Sequence, residues 1–188
     1  MTRRLSIAIF TGSRAWDVAE HWKALGWCRR QVAAVLGGSL GAVPDVVAHG
    51  DAPGLDRYVE DIARYCLVPR VVFPLPPKRG EVRGPETRKG EKWVCPTVGW
   101  ALFTYSGPLD RAEDGIVGRN GAMMRWGRAQ ADAGHDVTVI ALRAPWSLSG
   151  GTVDAIRHAT ACELLVVEPK LPPEFLDTDD GTTSGGST

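Results

Sequence analysis

Short, nearly continuous apolar runs alternate along this chain with segments whose apolar residues recur every three or four positions. Leu5 to Thr11 is the first run and stops at Gly12. Asp45 to Ala48 is the second, closed by His49-Gly50. The third, Pro69 to Leu75, has Val71, Val72 and Phe73 at its centre. Asp136 to Leu142 and Leu164 to Val167 complete the set. Runs this short, rich in Val and Ile and apolar at successive positions, predict strands buried on both faces, as in parallel sheets. Between them lie helical patterns. Asp17 and Glu20 have the spacing of a capping box. Val18, Trp22, Leu25, Val32 and Leu36 follow at helical intervals until Gly37-Gly38. Gly54 to Tyr65 sets Leu55, Val59, Ile62 and Ala63 on one face. Two more helices are predicted, Asn120 to Ala133, ending at Gly134, and Ser149 to about Cys162.

The order is β-α-β-α-β, an interruption, then α-β-α-β. It predicts an α/β fold, Rossmann-like and doubly wound, with a mostly parallel five-stranded sheet and helices on both faces. One domain spans residues 1–176. Residues 76–118 break the rhythm as an insertion. Its stretch from Lys78 to Lys92 carries six basic and three acidic side chains, and Trp93, Trp100, Phe103 and Tyr105 follow. A structureless stretch this long reads as a functional flap or a poorly ordered insertion. From Asp177 to Thr188 the chain holds only Asp, Gly, Ser and Thr, the composition of a disordered tail.

Composition narrows the function classes. The 188 residues carry 22 basic and 22 acidic side chains, a formal net charge of zero, and 44 % are apolar. That excludes disorder of the whole chain. It also argues against a general nucleic-acid binder, which carries a basic excess. Cys28, Cys66, Cys95 and Cys162 show neither C-x-x-C spacing nor a histidine at a zinc-finger interval, so they read as reduced thiols. No metal or cofactor is expected. No apolar run approaches membrane-spanning length, and the first apolar stretch is too short for a secretory signal. The expectation is a cytoplasmic protein with no membrane partner.

In doubly wound sheets ligands bind beyond the carboxyl ends of the strands. Gly12-Ser13-Arg14 follows the first strand and His49-Gly50-Asp51 the second. Pro145-Trp146-Ser147 follows the fourth and leads into Ser149-Gly150-Gly151-Thr152. Turns that open a helix gather free backbone N–H groups and the positive end of its dipole, which suits a phosphate. Gly150 and Gly151 allow close backbone approach, and Thr152 can bond a phosphate or cap the helix. Gly54 and Asp56 open the next helix, where Asp56 either supports the dipole or bonds a ribose hydroxyl. His49 reads either as a general acid/base or as a satisfied turn histidine. Trp16 can stack on a base or pack at a helix start. Arg119 can clamp a phosphate, with Asn120 beside it.

Four blocks occur in order: Gly12-Ser13-Arg14 with Trp16; His49-Gly50-x-Ala52-x-Gly54-x-Asp56; Arg119-Asn120-x-x-Met123; and Ser149-x-Gly151-Thr152. Together they resemble the SLOG superfamily, most closely its branch related to YspA and YpsA, over residues 5–168. The resemblance implies a Rossmann-like fold that binds nucleotides or their derivatives at the strand ends. Relatives include cytokinin riboside monophosphate phosphoribohydrolases, whose P-G-G-x-G-T-x-x-E motif ends on a catalytic glutamate. Here that position falls on Ala155. Asp154 is one residue out of register, about 100° around the helix. The expectation is a sensor or carrier of a nucleotide-type small molecule. The ligand would be held by Gly12, Ser13, Arg14, Trp16, Gly50, Asp51, Gly54, Arg119, Asn120, Ser149, Gly150, Gly151 and Thr152. The alternatives are an N-glycosidic hydrolase of nucleoside monophosphates, with Asp56 and His49 as its catalytic groups, and a DNA-interacting protein. Relatives are often dimers or larger, and seven tryptophans are compatible with an interface between copies.

Overall fold

The computed structural model describes residues 3–13, 16, 22–39, 41–50, 52, 54–73, 103–104, 115–146 and 150–175, with the backbone alone at 22, 23, 103, 104, 115–117 and 175. In chain order the elements are β1 Ser6–Gly12, α1 Trp22–Leu36, β2 Val46–His49, α2 Leu55–Tyr65, β3 Arg70–Val72, β4 Phe103–Thr104, α3 Gly115–Asp132, β5 Asp136–Leu142, α4 Gly150–Ala161 and β6 Leu165–Val167. A single 3-10 turn follows at Pro173–Phe175.

The strands form one sheet in the order β4-β3-β2-β1-β5-β6, with every neighbouring pair parallel. The chain builds outward from β1 to β4, then crosses back to lay β5 on the other side of β1. Strand order therefore reverses between β1 and β5, the place where such sheets open a crevice. The β1–β5 ladder is the longest, running in register from Ser6 opposite Asp136 to Gly12 opposite Leu142.

Alternation along the strands divides the core in two. Ala8, Phe10, Val47, Ile140 and Leu142 face α1 and α2, where Trp27, Cys28, Val32, Leu36, Leu55 and Val59 meet them. Ile7, Ile9, Ala48, Val71 and Val139 face α3 and α4, against Met123, Met124, Ala155 and Ala159. Helices thus cover both faces, and Met123 and Met124 are core residues.

The fold is the expected Rossmann-like α/β architecture, with three differences. Among the described residues the sheet has six strands, because two residues of the 76–118 insertion, Phe103 and Thr104, pair beside β3. All its pairings are parallel. Helix α3 begins at Gly115, five residues before the predicted Asn120, so the insertion's last turn belongs to the helix. The capping box Asp17/Glu20, the basic stretch 78–92 with Trp93, Cys95, Trp100 and Tyr105, and the tail 177–188 lie outside the described residues. No described helix is long and apolar enough to cross a membrane.

Cys28, Cys66 and Cys162 are free thiols, and Cys28 is buried in the α1 core. Burial pushes the Cys28 thiol from 9.0 to about 12, against a small opposing pull from Arg29. The unfolded chain releases this proton near its ordinary value, while the folded chain holds it until about pH 12. The resulting stability is complete below pH 9 and is lost as pH rises from 9 toward 12. Urea unfolding at about pH 8 and about pH 10.5 should show a larger loss for wild type than for Cys28→Ala. Iodoacetamide at neutral pH should label exposed Cys66 and leave Cys28 untouched.

Candidate functional site

Three strand ends meet at the carboxyl edge of the sheet. At the β1/β5 boundary, the last carbonyl of β5 is held by two donors from the segment after β1. The backbone N–H of Ser13 donates to Leu142 O at 3.3 Å, and Trp16 Nε1 donates to the same oxygen at 2.8 Å. Gly12 lies directly under the first residue of α2. A Cβ there would come within 2.2 Å of Leu55 Cδ2 and 2.8 Å of the Leu142 carbonyl oxygen. Close approach of helix to strand therefore explains this glycine, and it brings the start of α2 down onto the strand ends.

Trp16 is in the core, 1 % exposed. Its ring meets Trp146 edge-on at 5.3 Å and Trp27 at 6.0 Å. With its N–H on Leu142, this tryptophan seals the α1 side of the β1/β5 boundary and has no open face on which a base could stack. Of the two roles open to it, stacking on a base or packing at a helix start, its contacts here are packing contacts.

A second cluster joins β2, α3 and α4. Arg119 Nη1 donates to Gly50 O at 2.7 Å, and its Nη2 reaches Asn120 Oδ1 at 3.4 Å. Asn120 Nδ2 donates to Gly151 O at 2.9 Å and to Asp154 Oδ2 at 3.3 Å. Three distant segments are thereby tied into one hydrogen-bonded path. Gly50 makes room for it, because a Cβ at that position would stand 2.5 Å from Arg119 Cζ and the guanidinium would have to shift. The guanidinium is buried against the end of β2. Arg119 therefore fastens the end of β2 to α3.

Helix α4 begins at Gly150, next to this path. A Cβ at Gly150 would meet nothing within 4 Å, whereas Thr152 is buried. Asp154 lies on the side of α4 that meets α3. It bonds Asn120 and pairs with Arg157 at 2.8 Å and His158 at 3.5 Å, so it braces α4 against α3.

The residues expected to do acid–base chemistry are engaged elsewhere. Asp56 Oδ2 accepts the Ala52 N–H at 2.9 Å and closes the turn that opens α2. Gly54 caps that helix at φ 87°, in the left-handed region that favours glycine. His49 is enclosed: its Nε2–H donates to Glu60 Oε2 at 3.0 Å, and the same carboxylate oxygen lies 3.1 Å from Arg70 Nε. These three side chains are 1 %, 6 % and 2 % exposed. Of the two readings open to it, acid–base group or satisfied turn histidine, the contacts of His49 here are those of a buried side-chain cluster with Glu60 and Arg70.

Sequence reasoning missed Glu60 and Arg70. A signal existed: Glu60 falls on the buried stripe of α2 with Leu55, Val59 and Ala63, where a lone carboxylate demands a cation. Arg14, Asp51 and Ser149 lie outside the described residues. Among the described residues, no group of three or more His, Cys, Asp or Glu is placed to hold a metal ion. What the described edge holds is the guanidinium of Arg119, the buried residues Ser13 and Thr152, and the N-terminus of α4, whose free backbone N–H groups suit an anion.

No protein-family model and no curated protein matches the chain. Among solved structures it is similar to the X-ray structure of DNA processing protein A (DprA) from Streptococcus pneumoniae. Identity is 18 %, the TM-score is 0.42, and the likeness covers 87 % of this chain. The chain spans 58 % of the length of that protein.

Proposed function

We propose that this chain binds a nucleotide or nucleotide derivative at the carboxyl ends of its strands, as a sensor or carrier module of the SLOG type. The observation that carries the reading is the path Gly50–Arg119–Asn120–Gly151. It joins three of the four sequence blocks at one edge of the sheet. The neighbouring reversal of strand order and the small-residue start of α4 support it. In this reading the phosphate lies against Gly150, Gly151, Thr152 and Arg14, with Arg119 adding charge from beneath. N-glycoside hydrolysis is the weaker reading, because it needs a carboxylate or imidazole facing the substrate. His49 faces Glu60, Asp56 serves the Ala52 amide and Asp154 serves α3 and α4.

The test is incubation of purified protein with ribo- and deoxyribonucleoside monophosphates, then desalting and mass spectrometry. An intact nucleotide retained on the protein supports the reading and names the ligand class. Released free base would replace it with hydrolysis, and a protein that retains nothing would end it. Arg14→Ala and Thr152→Val should each weaken retention. Gly50→Ala should weaken it by about tenfold, the order expected when a supporting contact is displaced. The new Cβ and the Arg119 guanidinium cannot occupy the same space, so the guanidinium shifts and its bond to the Gly50 carbonyl is strained. Calorimetric titration with the retained nucleotide reads the change.

A further inference from the structure

We propose that Glu60 is a positioning residue for the strand-end site. From inside α2, without touching a ligand, it fixes the end of β2 through His49 and so determines where Gly50 meets Arg119. The inference rests on the reading of this edge as a binding site.

Backbone pairing already joins β2 to β3, from Val47 opposite Arg70 to His49 opposite Val72. Apolar side chains would fill the space between that pair and α2 at least as favourably, because ionic groups pay a desolvation penalty that their attraction often only balances. Instead one oxygen of Glu60 meets both His49 Nε2 and Arg70 Nε, nearly out of solvent. Such a network constrains direction in a way that apolar packing does not.

The constrained residue is the one before Gly50. His49 is held at its ring by Glu60 and at its carbonyl by the Phe73 N–H, 2.9 Å away. Gly50 has no side chain to limit its own rotation, so its carbonyl points where its neighbours direct it. That carbonyl accepts the shortest bond of the path, 2.7 Å from Arg119 Nη1. Arg119 then orients Asn120, and Asn120 holds the first turn of α4. A charge on α2 therefore reaches the phosphate end of the site through three side chains, His49, Arg119 and Asn120, and one glycine.

The experiment compares Glu60→Gln with Val32→Ala in the full chain. Val32→Ala removes buried methyls from the α1 side of the core and controls for lost stability. Two readouts are taken: the Arg119 Nε–Hε resonance of the free protein, assigned with Arg119→Lys, and calorimetric titration with the four ribonucleoside 5′-monophosphates. Glu60→Gln should move or broaden the Arg119 resonance and weaken nucleotide binding about tenfold. Val32→Ala should change neither, even at a comparable drop in Tm. An Arg119 resonance unmoved in Glu60→Gln, or moved equally in Val32→Ala, overturns the positioning role. If wild type binds none of the nucleotides, the binding reading falls, and the resonance alone decides whether Glu60 positions Arg119. If Glu60→Gln does not accumulate as folded protein, Glu60→Asp, one methylene short of His49, takes its place with the same criteria.

Discussion

Gly12→Ala should cost the folded state about 3 kcal/mol, the upper end of what overpacking does. The new methyl has three obstacles: Leu55 Cδ2 at 2.2 Å, Leu55 Cβ at 2.9 Å and the Leu142 carbonyl oxygen at 2.8 Å. A rotamer change of Leu55 relieves the first. The second moves only with the α2 backbone, and the third only with β5, whose carbonyl is already gripped by Ser13 and Trp16. The double variant Gly12→Ala/Leu55→Ala should therefore fold no better than Gly12→Ala, because it keeps two obstacles and adds a cavity. Urea unfolding of the three proteins measures this. Full recovery of stability in the double variant would show that Leu55 alone dictates the glycine.

Trp16→Ala should lose about 3–5 kcal/mol, the range for removing a fully buried aromatic side chain. Its ring fills the junction between Trp27, Trp146 and the end of β5. Trp16→Phe keeps much of that volume and loses the N–H that satisfies Leu142 O, which should cost about 1 kcal/mol plus the packing difference. Chemical denaturation gives the stabilities. The same two proteins check the site, because Trp16→Phe should hold nucleotide as well as wild type does. A large loss of affinity at unchanged stability would return Trp16 to the ligand.

The strands and helices most readily read from sequence were those in which one physical cause dominates. β5 is found at Asp136–Leu142 as expected, because its run of mostly β-branched and small residues, buried from Val139 to Leu142, has no competing pattern. α2 keeps its apolar stripe within a residue of the predicted start. β4 was hidden because two residues have no periodicity, and only a neighbouring strand makes them one. The start of α3 was hidden because Gly115 and Gly118 read as loop, whereas tertiary packing overrides glycine's weak helix propensity.

At the site, the strand-end positions followed from topology. Individual roles did not, because a glycine needed for packing and one needed for a ligand look the same in a sequence. Gly12 and Gly50 are explained by Leu55 and Arg119, residues far away in the chain. The pairing of Glu60 with His49 and Arg70 depends on how α2 lies across β2 and β3, which spacing within α2 cannot reveal.

The placement of β5 beside β1 has a kinetic consequence. Local pairings can form β1, β2 and β3 early, since each is joined to the next by one helix. The longest ladder, however, joins residues 130 positions apart, with Ser6 opposite Asp136. Closing so wide a loop costs only slightly more entropy than closing a shorter one, because the cost grows with the logarithm of its length. Yet that cost must be met before the ladder returns anything, which slows folding. The half-sheet β1–β2–β3 would therefore wait with one edge of β1 open. The strand-end edge, built from both halves, could be completed only when β5 arrives, so any competence to bind there would appear with the last long-range step of folding.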